Sequence, residues 1–145
     1  MSLLILFIVV TLAVGLIYRS FKQKMILKNA KELIANGGIS EVKEIQIGGE
    51  TQYILIEGKD KQNPIMLFLH GGPGQAFPFG VSSRSLFPEV TENFTAVFYD
   101  QRGAGKSYNK NIDKESMTIG RFISDTNEVV DYVRKKFQVE KIYLM

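Results

Sequence analysis

The sequence predicts an α/β fold in which an antiparallel hairpin leads into parallel strands separated by helices, with a transmembrane helix in front. Three observations predict this order. Residues 1–18 carry no charged side chain, residues 42–57 read as two strands around a double glycine, and short apolar runs end at Leu69 and Tyr99 before glycine-rich segments. An apolar run bounded by turn residues is typical of a strand buried on both faces, as in a parallel sheet.

The composition fits one globular domain and excludes several kinds of site. Of the 145 residues, 45% are hydrophobic and 23% charged, which is not the composition of a disordered chain. The absence of cysteine excludes disulfides and thiolate metal sites, and one histidine excludes a histidine-rich zinc site. The net charge of +3 is concentrated in residues 19–36, whereas a nucleic-acid interface needs basic side chains over a folded face. We therefore expect no metal, organic cofactor or nucleic-acid partner.

The N-terminal segment, residues 1–18, is interpreted as an uncleaved membrane anchor. An apolar stretch of about 18 residues or more is a candidate transmembrane helix. A cleaved signal peptide would begin with basic residues, and none precedes this run; a buried core helix is the other alternative. The basic residues that follow predict a single-pass protein whose folded domain faces the cytoplasm. Residues 19–41 are expected to form a basic juxtamembrane helix and linker that contacts membrane lipid or is simply solvated.

Residues 42–145 are expected to form one incomplete α/β domain. After the hairpin of residues 42–57, strands are predicted at Ile65–Leu69, Phe94–Tyr99 and Lys141–Met145. The clearest helix lies between the last two strands. Its apolar face is predicted to hold Ile119, Phe122, Ile123, Val130, Val133 and Phe137, and its solvent face Asp125, Glu128, Asp131 and Arg134.

A glycine-rich motif directly follows the Ile65–Leu69 strand, with the sequence His70-Gly71-Gly72-Pro73-Gly74-Gln75. Glycines allow the backbone to approach a ligand and to direct N–H groups at it. An oxyanion hole needs such donors, because they stabilise the negative charge that develops on a carbonyl oxygen during acyl transfer. An ordinary turn at a strand end is the alternative for this motif taken alone.

A second motif follows the next strand, with the sequence Tyr99-Asp100-Gln101-Arg102-Gly103-Ala104-Gly105-Lys106-Ser107. Its last three residues resemble the end of a phosphate-binding P-loop. The P-loop pattern requires glycine at position 100, where this sequence has Asp100. A dinucleotide-binding glycine fingerprint is absent as well, so nucleotide binding is not expected.

Together these two motifs resemble the α/β-hydrolase superfamily, and most closely its proline iminopeptidase branch, over about residues 42–145. The resemblance implies that the backbone N–H of Gly72 faces the oxyanion, and that Asp100 and Arg102 stabilise the loop after the fourth strand. His70 is implied to be structural, since the catalytic histidine of this fold comes after the nucleophile and the acid. The residues implied to shape the site are His70, Gly71, Pro73, Gly74, Asp100, Arg102, Gly103 and Gly105.

In hydrolases of this kind the fifth strand runs into a Gly-x-Ser-x-Gly nucleophile elbow, which this chain does not contain. We therefore expect an N-terminal fragment without nucleophile, acid or base, inactive by itself. For the intact protein the resemblance implies aminopeptidase or esterase activity on a small peptide or ester through a Ser-His-Asp triad. An aspartate nucleophile, as in epoxide hydrolases, is less expected. A truncated inactive product and a degenerate binding module are the alternatives.

Overall fold

The computed structural model describes residues 2–71, 74–77 and 87–145. They form two compact units, Met1–Glu32 and Leu33–Met145.

The first unit consists of most of a single continuous helix, α1 (Ser2–Ala35), which is 34 residues long. In the described part of the chain this is the one helix long and apolar enough to cross a membrane. Length and composition alone support that property, and a signal sequence would share it. The side chains from Leu3 to Tyr18 are all exposed.

The second unit is built on a five-stranded mixed sheet with the order β1-β2-β4-β3-β5. The pairs β1/β2 and β2/β4 are antiparallel, whereas β3 is parallel to both β4 and β5. This arrangement agrees with the antiparallel start and the parallel continuation predicted from the sequence. The elements are β1 (Ile39–Ile47), β2 (Glu50–Gly58), β3 (Ile65–Leu69), α2 (Pro88–Asn93), β4 (Thr95–Asp100), α3 (Ile119–Phe137) and β5 (Tyr143–Leu144), with short 3-10 turns at Gly105–Ser107 and Lys114–Ser116.

The hairpin is longer than the predicted residues 42–57, because β1 begins at Ile39 and β2 ends at Gly58. Its two-residue turn is Gly48-Gly49, as expected, with φ angles of 57° and 79°. Positive φ at both central positions belongs to the turn that best matches the twist of an antiparallel pair, and glycine adopts it without steric cost.

Both faces of the sheet are covered. On one face Ile54, Leu67 and Val97 pack with Val129 and Val133 of α3. On the other face Leu55, Ala96 and Phe98 form a smaller cluster with Phe68, Phe77 and Val90 packed against it. Side chains that alternate along β4 thus enter two different clusters, which explains why this strand is continuously apolar in the sequence.

The predicted faces of α3 need correction at three positions. Ile119 and Ile123 were expected on the buried face and are 80% and 58% exposed, whereas Asp125 was expected in solvent and is fully buried. The buried stripe contains Asp125, Val129 and Val133, which are spaced four residues apart and therefore share one side of the helix. Asp125 is tolerated there because it is ion-paired, a compensation that periodicity alone does not reveal.

Helix α2 begins at Pro88, at a position where a missing backbone N–H costs nothing. Strand β5 covers Tyr143–Leu144 within the predicted residues 141–145. Its pairing with β3 extends to Met145, whose N–H donates to the Leu67 carbonyl at 2.9 Å and whose carbonyl accepts from the Leu69 N–H at 2.8 Å.

Candidate active site

The two sequence motifs meet at one edge of the sheet, at the C-terminal ends of the parallel strands β3 and β4. Leu69 is in register with Tyr99, so His70 and Asp100 begin neighbouring loops. In open α/β sheets this edge is where ligands bind. A cleft of about 740 Å³ opens here. Its lining residues are Leu69, His70, Gly74, Gln101, Arg102, Gly103, Ala104, Met117, Ile119, Phe122, Ile123, Thr126 and Asn127.

The structure brings most of the predicted site-shaping residues together. His70, Gly74, Arg102 and Gly103 line the cleft, and Asp100 is buried at the end of β4. Gly71 is exposed, and Gly105 lies against the carboxylate of Asp100. Gly72, the predicted oxyanion donor, and Pro73 lie outside the described residues, so their roles stay predictions.

His70 is tied to Gln101 by two hydrogen bonds. The backbone N–H of Gln101 donates to His70 Nε2 at 3.1 Å, and the Gln101 side-chain amide donates to the His70 carbonyl at 2.8 Å. Since Nε2 accepts, the proton of the neutral ring is assigned to Nδ1. Nδ1 is buried and has no hydrogen-bond partner in the described part of the chain. In this arrangement Nε2 is already engaged by the Gln101 N–H, and the structural role that the resemblance implies for His70 stays a prediction.

Asp100 connects the loops that follow β3 and β4. Its carboxylate accepts hydrogen bonds from the backbone N–H of Phe77 at 3.3 Å and of Lys106 at 2.8 Å. Burial raises the pKa of Asp100, and the two backbone hydrogen bonds oppose this rise without cancelling it. The Gly105-Lys106-Ser107 turn therefore wraps around a carboxylate of the chain itself, which engages the Lys106 N–H.

Arg102 is buried and held by several hydrogen bonds. Its Nε and Nη2 atoms lie 2.7 and 3.2 Å from the two carboxylate oxygens of Asp125, and Nη2 also donates to the Gly48 carbonyl at 2.8 Å. The guanidinium thus joins the loop after β4 to α3 and to the hairpin turn. Bidentate pairing of this kind fixes orientation as well as supplying energy.

Asp125 has further donors from two directions. The Gln52 side-chain amide donates at 2.8 Å, and Arg121 Nε donates at 2.7 Å. Burial disfavours the ionised carboxylate, but the hydrogen bonds from Arg102, Gln52 and Arg121 outweigh it and lower the pKa of Asp125. Arg121 also pairs with Glu128 at 2.8 Å, so this cluster contains two positive and two negative groups.

The Tyr99 hydroxyl completes the network by donating to the side-chain oxygen of Gln52. Burial, the largest cause, raises the pKa of Tyr99, so the phenol remains a neutral donor. Sequence reasoning did not assign Gln52, Tyr99, Gln101, Arg121 or Asp125 to the site. Two signals could have found some of them: Gln101 stands inside the second motif, and Asp125 falls in helical register with Val129 and Val133.

In residues 2–71, 74–77 and 87–145 no group of three or more histidine, aspartate or glutamate side chains is placed to hold a metal ion.

Comparison with known proteins shows that this chain is similar to hydrolases. A probable aminopeptidase, YbaC, of Bacillus subtilis strain 168 is 44% identical over 106 residues, which are 73% of this chain and 33% of that protein. A crystal structure of a proline iminopeptidase-related protein from Thermus thermophilus aligns with a TM-score of 0.56 at 26% identity, over 73% of this chain and 35% of that one.

An epoxide hydrolase from Vigna radiata aligns equally well, with a TM-score of 0.56 at 24% identity, over 72% of this chain and 30% of that one. This likeness shows a common fold alone. No protein-family model matches the sequence. The chain spans about a third of the length of the relatives that it matches.

Proposed function

Because the chain belongs to the α/β-hydrolase superfamily and is similar to its proline iminopeptidase branch, we propose that the intact protein is a serine hydrolase acting on a small peptide or ester. The specific form of the proposal is an aminopeptidase that releases an N-terminal residue. The name of the Bacillus subtilis relative, a probable aminopeptidase, supports this form. Esterase activity is the nearest alternative, because both reactions pass through the same acyl transfer.

One observation carries the proposal, namely the convergence of three strand ends. The glycine-rich loop after β3 and the Asp100 loop after β4 meet at the C-terminal edge of the parallel strands, and β5 pairs along β3 up to Met145. A nucleophile placed on the turn after β5 would therefore emerge next to the loop that begins at His70. That is the relation that a nucleophile and an oxyanion hole require.

The proposed mechanism assigns the chemistry as follows. A serine after β5 attacks the carbonyl carbon, and a histidine takes its proton and gives it to the leaving group as the bond to that group breaks. Water, deprotonated by the same histidine, then cleaves the acyl-enzyme ester and restores the serine, while an acid orients the histidine throughout. Backbone N–H groups, including that of Gly72, stabilise the oxyanion. Residues 1–145 supply the loop for the oxyanion in this scheme, and none of them is assigned as nucleophile, acid or base. The scheme needs neither metal nor organic cofactor.

The location proposed for this activity is the cytoplasmic face of a membrane. Helix α1 has the length and composition of a membrane span, and Arg19, Lys22 and Lys24 follow its charge-free part directly. Basic residues that flank a span are retained on the cytoplasmic side. The same residues carry charge that complements anionic lipid headgroups.

The test is to label the purified intact protein with a fluorophosphonate, which reacts with activated serines, and to locate the modified residue by mass spectrometry. Aminoacyl p-nitroanilides and p-nitrophenyl esters then separate aminopeptidase from esterase activity. We expect one labelled serine beyond residue 145 and loss of turnover when it is changed to alanine.

An aspartate nucleophile, as in an epoxide hydrolase, would leave the protein unlabelled but active on epoxides. Absence of both label and turnover would instead favour the inactive or binding role. Each of these outcomes overturns the proposal.

A further inference from the structure

We infer that Asp100 and Gln101 are positioning residues that hold the loop after β3 at Phe77 and His70, and thereby aim its backbone N–H groups at the oxyanion. This inference rests on the proposed hydrolase function. It concerns residues that touch the loop and do not themselves contact a reacting atom.

Gln101 holds the first end of the loop through a reciprocal pair of contacts. Its backbone N–H donates to the ring of His70, and its side chain donates to the backbone carbonyl of the same residue. Both the side chain and the peptide unit of His70 are therefore fixed against one residue of the neighbouring loop. The peptide unit matters most, because its orientation sets the direction in which the chain enters Gly71.

Asp100 holds the loop at a second point, Phe77. One carboxylate oxygen accepts from the Phe77 N–H, while the second accepts from the Lys106 N–H. The Phe77 ring adds packing, since it meets the rings of His70 and Phe98 edge-on, with centroids 6.0 and 5.2 Å away. At Phe77 the loop is thus tied to β4 by a hydrogen bond and by aromatic contact.

These contacts come from two consecutive residues, Asp100 and Gln101, at the end of one buried strand. Strand β4 is the central strand of the sheet, paired on both sides, and all six of its residues are buried. The loop is therefore tied at His70 and at Phe77 to a rigid part of the fold. Preorganised donors stabilise a developing oxyanion because they need no reorganisation during the reaction, and a displacement of about 1 Å can cost about 100-fold in rate.

The test uses the intact protein and two variants that preserve side-chain size. Gln101→Glu removes the hydrogen bond donated to the His70 carbonyl while leaving its own backbone N–H in place. Asp100→Asn replaces one accepting oxygen by an NH2 group that cannot accept from a backbone N–H. Gln62→Glu is the matched control for the charge introduced by Gln101→Glu, because Gln62 lies outside the site, in the connection before β3.

We expect both loop variants to lower kcat by about tenfold or more with KM changed less than about twofold, because the interaction acts in the transition state. The control should keep wild-type kcat. Hydrogen–deuterium exchange supplies a readout that does not need activity: residues 70–77 should exchange faster in both variants, and equally in the control and the wild type.

If the wild type turns over substrate and both variants match it in kcat, the inference is wrong and the proposed function stands. If the wild type has no hydrolase activity, the proposed function fails, and the catalytic part of the inference fails with it. Unchanged exchange of residues 70–77 in the variants would overturn the structural part separately. A raised KM at constant kcat would indicate a role in substrate binding and would also contradict positioning of the oxyanion loop.

Discussion

Arg102 and Asp125 face each other in a bidentate ion pair whose side chains are 2% and 0% exposed. A buried pair is costly to assemble, and removing one partner is costlier, since it leaves an uncompensated charge in a dry environment. We therefore expect Asp125→Asn to lower the free energy of unfolding by about 3–5 kcal/mol. Denaturant titration of the intact protein measures it. The control Asp131→Asn breaks the exposed pair with Arg134 and should change stability by less than about 1 kcal/mol.

The same pair predicts how stability depends on pH. The folded-state pKa of Asp125 is lowered, so its ionised form is favoured by folding. The contribution of Asp125 to the free energy of unfolding is fully present above its pKa in the unfolded state, which is about 3.9. This contribution is lost as the pH falls through its pKa in the folded state. We expect the wild type to lose more stability than Asp125→Asn as the pH is lowered from above that unfolded value to below the folded pKa. An equal loss in both proteins would assign the acid sensitivity to other carboxylates.

The sheet and its site edge could be predicted from the sequence because their signals are local. A double glycine between two alternating segments marks the hairpin, and apolar runs that end in glycine-rich motifs mark β3 and β4. These positions also place His70 and Asp100 side by side, since parallel neighbours end at one edge. The location of the two glycine-rich motifs in the fold could therefore be predicted together with the strands that precede them.

The buried network could not be predicted, because it depends on partners far apart in the chain. Gln52 and Asp125 are 73 residues apart and meet at 2.8 Å, and an aspartate on a helix is ordinarily solvated. Helical periodicity predicts the buried face of a helix only where hydrophobic residues line that face. Asp125 is buried because Arg102 and Arg121 pair with it, and their charges make burial of the carboxylate tolerable.

The phenol of Tyr99 provides a test of that network at a position without charge. Its hydroxyl is the donor to the Gln52 side-chain oxygen in a fully buried region. Tyr99→Phe removes the donor and leaves that oxygen unsatisfied, so we expect a loss of about 1–3 kcal/mol in the free energy of unfolding. Tyr108→Phe is the matched control, since Tyr108 is 68% exposed and should change stability by less than about 0.5 kcal/mol. Equal stabilities of the two variants would contradict the assigned hydrogen bond.

Membrane anchoring is tested with two variants, one without the apolar part of α1 and one without the charges of its basic part. We expect the intact protein to remain in the membrane pellet at alkaline pH and a variant lacking residues 2–18 to be released. Lys24, Lys28 and Lys31 recur at a helical spacing of four and three residues, so they share one side of α1. Changing all three to glutamine should leave the anchored protein in the pellet, because a span binds far more strongly than surface charge. Release of this variant would indicate peripheral attachment instead.

Gly105 and Gly120 are two glycines at which substitution by alanine is expected to have opposite effects on stability. Gly105 has φ of 49°, and a Cβ there would lie 2.2 Å from Asp100 Oδ2; Gly120 lies in the first turn of α3 with nothing within 4 Å of such a Cβ. Gly105→Ala should therefore cost at least about 1–2 kcal/mol for its backbone conformation alone, and more if the Asp100 carboxylate is displaced. Gly120→Ala should be neutral or stabilise by up to about 1 kcal/mol, because alanine reduces the entropy lost on helix formation. Thermal unfolding of both variants measures the difference. A tolerated Gly105→Ala would show that the turn does not close on Asp100, and the hydrogen bond from the Lys106 N–H would have to be reassigned.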